Sequence, residues 1–204
     1  MNSEAPIEAH DYSVYQRLGD IGSGKSVNIK QLDNGIDCNG LFIPVTKGTP
    51  RYTFLVGALS KLGCPYAWAG EGQPWTGSLL AGDGTYVDWT DPNYSIADCI
   101  GKASYDCSGL VMKALATVNK SVPHYSGSQC SASYGAKIIM PTSLADLKPG
   151  MIMGNSQHVV IYLSDGYVLE APETGKTVRI ISMQDRWGSN VIPQDYMCVD
   201  YFDN

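Results

Sequence analysis

Charged residues are scarce in this 204-residue sequence: they make up 17% of the chain, whereas soluble domains usually contain about 25%. Acidic residues outnumber basic ones by 20 to 14, which gives a net charge of −6. Surfaces that bind nucleic acid need clustered Lys and Arg side chains to displace counterions from phosphates. The composition therefore argues against nucleic acid as a partner.

Long apolar runs are also absent, and no stretch approaches the roughly 18 consecutive apolar residues that a membrane span requires. The first residues, MNSEAPIEAHDYS, carry acidic side chains where a secretory signal peptide would be basic, and no apolar stretch follows them. Apolar residues nevertheless amount to 44% of the chain, which is sufficient for a packed core. We expect a globular domain with no membrane span and no signal peptide in this chain.

Recognisable metal-binding spacings are missing as well. The six cysteines form no CxxC pair, which argues against structural zinc, and the aspartates lack the spacing of an EF-hand calcium loop. We expect neither a metal nor a cofactor. If one cysteine is a free nucleophile, the other five can form at most two disulfides, and reduced buried thiols are the simpler expectation.

One short motif points to a different class of protein. The stretch GDIGSGKS, residues 19–26, fits the P-loop pattern, in which backbone N–H groups and a lysine bind phosphates. A P-loop should follow a buried strand and precede a long helix. The preceding HDYSVYQRL is polar, however, and the following SVNIKQL soon meets a turn at residues 33–35. We interpret residues 19–26 as a flexible turn, and nucleotide binding is the least favoured hypothesis.

Hydrophobic periodicity divides the rest of the chain. Residues 1–49 are polar and rich in Gly and Asn, and we expect an N-terminal extension or a small packed segment there. Residues 50–204 would form the main domain, which begins with a predicted helix over 50–62. Residues 71–105 show no usable periodicity. A segment of this kind either covers a site, as a lid or a specificity wall, or is a variable surface insertion.

The second half of the chain changes its period. Apolar spacing predicts the clearest helix over residues 107–119. Short β-branched and aromatic runs follow and predict strands near 151–154, 158–164, 167–171, 177–181 and 197–202. Helices followed by a strand meander indicate an α+β domain with an antiparallel sheet.

Cys107 lies where the clearest helix begins, and the positive end of a helix favours the nucleophilic thiolate form of a cysteine. A thiolate needs a base, and the chain offers His10, His124 and His158. His158 opens a predicted strand, which can hold its ring rigidly against a helix packed on the sheet. We therefore pair Cys107 with His158 and expect His124 to be a polar loop residue. A buried structural cysteine is the alternative for Cys107.

A base also needs an orienting group on its second nitrogen, and Glu170 on the next predicted strand is the candidate. Glu170 shares the face of His158 if residues 164–166 form a three-residue loop, and it faces away if Asp165 and Gly166 alone form the turn. Three-residue loops favour glycine at their left-handed third position. We predict the longer loop, with Glu170 beside His158. A solvated strand glutamate is the alternative.

Five motifs in consistent order resemble those of the NlpC family of bacterial cell-wall cysteine peptidases, and the similarity runs from residue 50 to about residue 185. They are GCPYAWAG at 63–70, YDCSGLV at 105–111, VPHYSGSQ at 122–129, DLKPGMIM at 146–153 and HVVIYLSDGYVLEAPETGKTVRI at 158–180. Three positions depart from the family pattern: Ala69 replaces a glycine, His124 an arginine and Met151 an aspartate.

The resemblance implies a papain-like fold, with the helix that bears the nucleophile packed on an antiparallel sheet. It implies that Cys107 is the nucleophile, His158 the base and Glu170 the third polar residue, a position where His, Asn or Gln is more common in the family. By the same resemblance, a second set of residues would line the substrate subsites: Tyr66, Asp106 and Ser108. Trp68 is either a core aromatic or a substrate contact.

The resemblance further implies hydrolysis of peptidoglycan stem peptides, at the bond between the γ-carboxyl of D-glutamate and a diamino acid. Such an enzyme acts at the bacterial cell wall, whether it is secreted, periplasmic or delivered by a phage, and it requires no metal. Two alternatives stay open. The same residues could hydrolyse another amide, such as the bond between N-acetylmuramic acid and L-alanine, or the domain could be a catalytically quiet cell-wall-binding module.

Overall fold

A computed structural model describes residues 28–203; GDIGSGKS and His10 lie outside this range. The first elements are β1 (Ile29–Leu32), β2 (Gly35–Cys38) and β3 (Leu41–Pro44), which form an antiparallel sheet in this order. The inner side chains of this sheet belong to the same buried cluster as the main helices, and the Ser164 hydroxyl donates a hydrogen bond to the carbonyl of Phe42. The sheet therefore shares the core of the main domain, and a domain boundary at residue 49 stays a prediction.

Helix α1 (Pro50–Leu59) begins where the sequence predicts it. The Thr49 side chain accepts a hydrogen bond from the Tyr52 backbone N–H, and Pro50 occupies the first helical position, where its missing N–H costs nothing. The helix ends at Leu59 rather than at residue 62, and its buried face carries Phe54 and Leu55 among others.

Residues 71–105 fold into a small unit of their own, although the sequence predicts no regular structure there. The unit contains β4 (Glu71–Pro74), α2 (Ile96–Cys99) and β5 (Ala103–Tyr105), and β4 pairs antiparallel with β5. Its interior is a third hydrophobic cluster, separate from the main core, in which the rings of Trp75 and Trp89 lie 5.3 Å apart. We call residues 71–105 the insertion.

Helix α3 (Cys107–Ala116) follows the insertion and packs its apolar face on the main sheet. The sheet has six antiparallel strands in the order β10-β9-β8-β7-β11-β6. They are β6 (Lys137–Ile139), β7 (Ile152–Gly154), β8 (Val159–Ser164), β9 (Tyr167–Glu170), β10 (Arg179–Ser182) and β11 (Met197–Asp200). The predicted α+β class, with the Cys107 helix on an antiparallel sheet, is confirmed.

Short helical segments connect these elements. They are α4 (Ser126–Gln129), the 3-10 helices Ala132–Tyr134 and Leu144–Asp146, and α5 (Met183–Trp187). The described range contains no helix with the length and apolar character that a membrane crossing needs.

The hairpin between β8 and β9 differs from the prediction in its turn. Ser164 pairs directly with Tyr167, so Asp165 and Gly166 form a two-residue turn, with φ angles of 50° and 77°. Positive φ at both central residues suits the twist of the flanking strands and explains the Asp-Gly pair. The predicted three-residue loop is therefore wrong.

A β-bulge in the same hairpin restores the alignment that the loop was expected to provide. The register shifts between Tyr162 and Ser164, and beyond the shift Ile161 pairs with Leu169. One residue further along, Glu170 lies opposite Val160 and therefore shares the face of His158. The position of Glu170 agrees with the prediction, but its cause is the bulge.

Candidate active site

Cys107 occupies the first position of α3, at the floor of a cleft of about 340 Å³. One wall carries Tyr66 and Trp68 from the loop that follows α1, and another carries His158 from the start of β8. All six cysteines are free thiols. Cys107 alone among them lines this cleft, which sets it apart from the other five.

Asp106 fixes the start of α3 and one side of the cleft. Its Oδ1 atom accepts hydrogen bonds from the Gly109 backbone N–H at 2.6 Å and from the Ser108 hydroxyl at 3.1 Å. The same oxygen lies 2.8 Å from Nε2 of His124, which must donate because an ionised carboxylate only accepts. Asp106 is thus a helix cap and the centre of a polar cluster beside the thiol.

Gly109 explains the glycine of the D-C-S-G motif. A Cβ atom at this position would lie 1.9 Å from the carbonyl oxygen of Gly70 and 3.0 Å from Nε2 of His124. The Gly70 carbonyl in turn accepts a hydrogen bond from the Asp106 backbone N–H at 3.0 Å. Only glycine lets the loop 63–70 approach α3 closely enough to form this wall of the cleft.

His158 is held from both its backbone and its ring. Its backbone N–H donates to Oδ1 of Asn155 at 3.0 Å, and its carbonyl accepts from the Asn155 N–H at 2.9 Å. The ring lines the same cleft as Cys107, and its Nε2 atom lies 2.9 Å from Oε2 of Glu170. Because Glu170 occupies Nε2, the other ring nitrogen, Nδ1, is the one left for the thiol.

Glu170 is fully buried and accepts from three side chains. Its Oε1 atom accepts from Nε and Nη2 of Arg179 at 3.0 and 2.8 Å. Its Oε2 atom accepts from Nε of Arg186 at 3.0 Å in addition to the His158 contact. A buried carboxylate is costly unless it is paired and hydrogen-bonded, and these partners satisfy both of its oxygens.

The electrostatics of this cluster keep Glu170 anionic and His158 cationic near neutral pH. Burial alone would raise the pKa of Glu170, but the hydrogen bond and charge of His158 and the charges of Arg186 and Arg179 outweigh it and lower the pKa to about 2. Burial alone would lower the pKa of His158, yet its hydrogen bonds to Cys107 and Glu170, and their charges, raise it to about 9. A protonated imidazole beside a thiol is the arrangement that activates a cysteine nucleophile.

The two aromatic residues of the loop 63–70 take different positions. Tyr66 is buried against the core but lines the cleft, and burial together with the Cys107 and Asp106 charges raises the pKa of its phenol. It therefore stays protonated and can donate a hydrogen bond to a ligand. Trp68 is 64% exposed, so the alternative that it is a core aromatic is wrong.

Sequence reasoning missed several residues of the site. Arg179 lies directly opposite Glu170 on β10, a pairing that follows once the register of the hairpin is known. Arg186 comes from α5, and no pattern in the sequence connects it to Glu170. His124 is a loop residue, as expected, but it also lines the cleft, where its ring contacts Asp106.

Within residues 28–203, no group of three or more His, Cys, Asp or Glu side chains is arranged to hold a metal ion. The chemistry that the arrangement can perform is nucleophilic attack by a thiol that is assisted by a histidine and an oriented carboxylate. The same three types of side chain form the Cys-His-carboxylate constellations of thiol hydrolases.

Comparison with known proteins assigns the chain to a family. The model of the NlpC/P60 family matches residues 63–192, which is more than half of the chain. The chain therefore belongs to the NlpC/P60 family. The matched region contains Cys107, His158 and Glu170, together with the insertion and the loop that carries Tyr66 and Trp68.

Relatives in this family carry names that describe peptidases. The peptidoglycan endopeptidase RipA of Mycobacterium tuberculosis is 37% identical over 126 residues, which cover 60% of this chain and 22% of RipA. The gamma-D-glutamyl-L-lysine dipeptidyl-peptidase of Bacillus subtilis is 26% identical over 153 residues, which cover 70% of this chain and 40% of that enzyme. The chain thus spans about a fifth of the first relative and two fifths of the second.

A solved structure has the same fold. It is that of a Mycobacterium tuberculosis protein described as a hypothetical invasion protein, with a TM-score of 0.51 and 30% sequence identity. The superposition covers 76% of this chain and 63% of that one. The fold prediction and the family resemblance are both confirmed by these comparisons.

Proposed function

We propose that this chain is a cysteine endopeptidase that cleaves stem peptides of bacterial peptidoglycan at the bond between the γ-carboxyl of D-glutamate and the diamino acid. The observation that carries the proposal is the placement of Cys107 and His158 in one cleft of an NlpC/P60 domain, with the buried Glu170 hydrogen-bonded to the His158 ring. The names of the RipA and Bacillus subtilis relatives support the substrate class. The intact nucleophile and base favour an enzyme over a quiet wall-binding module.

Acylation begins with the thiolate of Cys107, which attacks the carbonyl carbon of the scissile amide. The carbonyl oxygen becomes an oxyanion, and the backbone N–H groups of Cys107 and Ser108 stabilise it. As the first two amides of α3, they have no acceptor within the helix. The His158 imidazolium then donates its proton to the leaving amine, the C–N bond breaks, and a thioester remains on Cys107.

Deacylation uses the same histidine in the opposite sense. Once Cys107 carries the acyl group, its contributions to the raised pKa of His158 are lost, so the imidazole, which has given its proton to the amine, stays neutral. The neutral ring accepts a proton from water, and the resulting hydroxide attacks the thioester. The C–S bond then breaks, which releases the carboxylic acid product and returns Cys107 as a thiolate beside the imidazolium. Glu170 orients the ring through Nε2 in both steps, while Arg179 and Arg186 hold Glu170 in place.

The remaining residues of the cleft would hold the stem peptide. Asp106 offers a carboxylate and Ser108 a hydroxyl beside the nucleophile, and the protonated Tyr66 phenol offers a donor from the facing wall. Trp68 presents an exposed ring at the entrance. The substrate places the site of action at the bacterial cell wall, and none of these steps calls for a metal or a cofactor.

The test is a digestion of purified peptidoglycan sacculi with the native protein and with Cys107→Ala, followed by mass spectrometry of the released fragments. We expect fragments that end in D-glutamate with the native protein and none with Cys107→Ala. Cys64→Ala is the matched control, because it removes a thiol outside the cleft and should leave the product pattern unchanged.

Other outcomes separate the alternatives. Released peptides with an intact stem and a free L-alanine amino group would identify an N-acetylmuramoyl-L-alanine amidase and overturn the proposed bond. Equal release by the native protein and Cys107→Ala would overturn Cys107 as the nucleophile. Binding to sacculi of several chemotypes without any release would identify a binding module.

A further inference from the structure

The insertion presents a short hairpin near the cleft. Leu80 pairs antiparallel with Tyr86, and the flanking hydrogen bonds run from Val87 N–H to the Leu79 carbonyl and from Ala81 N–H to the Thr85 carbonyl. Leu79 is buried in the core of the insertion. Because neighbouring residues of a strand face opposite sides, Leu80 and Tyr86 point away from that core, and they are 51% and 67% exposed.

The turn of this hairpin lies on the ring of Trp68. A Cβ atom on Gly82 would come within 2.5 Å of the Trp68 ring atoms, so the glycine backbone packs directly on the indole. Trp68 also lines the catalytic cleft. The hairpin surface is therefore continuous with the cleft, and we call Trp68, Leu80 and Tyr86 together the aromatic ledge.

Further hydrogen bonds fix the insertion, which carries Leu80 and Tyr86, to the main domain. The Gly175 carbonyl accepts from the N–H groups of Thr90 and Asp91 at 2.9 and 3.1 Å. Oδ2 of Asp91 accepts from the backbone N–H and the hydroxyl of Thr177 at 2.8 and 2.7 Å. These bonds hold the insertion against the loop that follows β9, whose Pro172 lines the cleft. An apolar surface that is held in place at a cleft entrance is suited to binding a ligand.

The charge of the insertion narrows the class of ligand. Residues 71–105 contain five acidic residues and Lys102 as the single basic residue, so a polyanion would be repelled. Near the ledge, Asp83 and Asp88 are exposed, and carboxylates accept hydrogen bonds from hydroxyl groups. Flat apolar surfaces bordered by such acceptors suit a neutral sugar, whose C–H faces stack on aromatic rings.

We propose that the aromatic ledge binds the glycan strand of peptidoglycan next to the stem peptide that occupies the cleft. The proposal rests on the proposed function, because the stem peptide is joined to the glycan through an amide at its N-terminal end. A peptide bound with its D-glutamate at Cys107 carries that sugar a residue or two from the scissile bond, and Trp68 lines the cleft and contacts the hairpin that carries the rest of the ledge. The ledge makes glycan-linked stems better substrates than free stem peptides.

The test compares kcat/KM for a disaccharide-tripeptide and for the same tripeptide without sugar, each prepared with lysine and with diaminopimelate. We expect the native protein to favour the sugar-linked substrate by about tenfold, the scale of one or two stacking contacts. Tyr86→Ala should reduce this ratio at least threefold, whereas Tyr86→Phe should preserve it because the ring remains. Tyr134→Ala is the matched control, since Tyr134 is an exposed tyrosine outside the cleft and the ledge.

A second measurement does not depend on catalysis. The Kd values of both ligands are determined by calorimetry with Cys107→Ala and with Cys107→Ala combined with Tyr86→Ala. Cleavage of both substrates with equal kcat/KM and equal Kd overturns the ledge and leaves the proposed function intact. Tighter binding of the sugar-linked ligand that is lost with Tyr86→Ala, without cleavage by the native protein, supports the ledge and overturns the endopeptidase. Binding of neither ligand overturns the ledge.

Discussion

Ala69 has a φ of 56°, in the left-handed region, at a position where the family pattern has glycine. An L-residue there costs about 1–2 kcal/mol, whereas glycine adopts the same angle freely but loses more entropy on folding. We predict that Ala69→Gly raises the free energy of unfolding by up to about 1 kcal/mol, measured by urea denaturation. Gly84→Ala, at a φ of 82° in open space, is the opposite control and should destabilise. A lower stability of Ala69→Gly would show that the alanine is not strained.

Glu170 raises the pKa of His158, so removing its charge should lower that pKa. The raised pKa of His158, about 9, depends in part on the hydrogen bond and charge of Glu170. Glu170→Gln removes the charge, so the imidazolium loses its proton at lower pH. We predict that the alkaline limb of kcat/KM moves down by about one pH unit or more, measured on a stem tripeptide between pH 5 and pH 10.

Arg186→Gln separates this electrostatic effect from structural damage. Removing a cation from Glu170 leaves more of the carboxylate's negative charge to act on His158, so the alkaline limb should move to higher pH, opposite to Glu170→Gln. The expected cost in kcat/KM at pH 7 is about tenfold, because the carboxylate is less firmly positioned. A downward shift of the limb in both variants would contradict the assignment of Arg186 as a residue that positions Glu170.

At the scale of elements, the β8–β9 hairpin shows what the sequence could and could not predict. The strands and the left-handed glycine, Gly166, follow from alternation and turn chemistry. The bulge between Tyr162 and Ser164 does not, because both residues fit a regular strand, while the extra residue, Leu163, is placed by the packing of the main core. Glu170 was therefore placed correctly through an incorrect loop.

In the insertion, by contrast, local sequence patterns predict neither helices nor strands. Its apolar residues, such as Trp75, Leu79 and Trp89, are irregularly spaced and come together only in three dimensions. Contacts with the main domain, above all those of Asp91 with Thr177, then fix its position. No periodicity in the sequence encodes either feature.

Asp91→Ala should release the insertion from the loop after β9. The change removes two hydrogen bonds to Thr177 and two to the N–H groups of Asn93 and Tyr94. We predict faster amide hydrogen exchange in residues 80–94 with little change in α3 and β8, and a stability loss of about 1–3 kcal/mol. Asp98→Ala, which removes the hydrogen bonds that Ser95, the N-cap of the short helix α2, donates to the Asp98 carboxylate, is the control. Unchanged exchange in residues 80–94 would contradict the anchoring role of Asp91.

At the scale of the whole molecule, the sequence predicted the positions of Cys107 and His158 better than their surroundings. Cys107 and His158 stand at the ends of strongly periodic elements, so local pattern places them. The hydrogen bonds to Glu170 come from Arg179 on β10 and Arg186 on α5. These residues are far apart in the sequence, and only the packing of the complete sheet brings them together. The same holds for β1–β3, whose side chains complete the main core.

The coupled ionisation of the buried cluster also makes stability depend on pH. His158 has a folded pKa near 9 against an ordinary value of 6.5, so its contribution is complete below pH 6.5 and is lost as the pH rises through 9. Glu170 has a folded pKa near 2 against an ordinary 4.5, so its contribution is complete above pH 4.5 and is lost as the pH falls through 2. His158 and Glu170 therefore both contribute their full stabilisation of the folded state only between about pH 4.5 and 6.5.

We therefore predict that the free energy of unfolding of the native protein, relative to His158→Gln, is largest near pH 6 and shrinks toward pH 10. The change should be at most about 3 kcal/mol, measured by urea denaturation at fixed ionic strength. His124→Gln is the control, since it removes a histidine of the same cleft without touching Glu170. A native advantage over His158→Gln that stays constant from pH 6 to pH 10 would mean that the imidazole is neutral in the folded protein. The thiol and the carboxylate would then not share a charged histidine, and His158 would have to act first as a base rather than as the partner of a preformed thiolate.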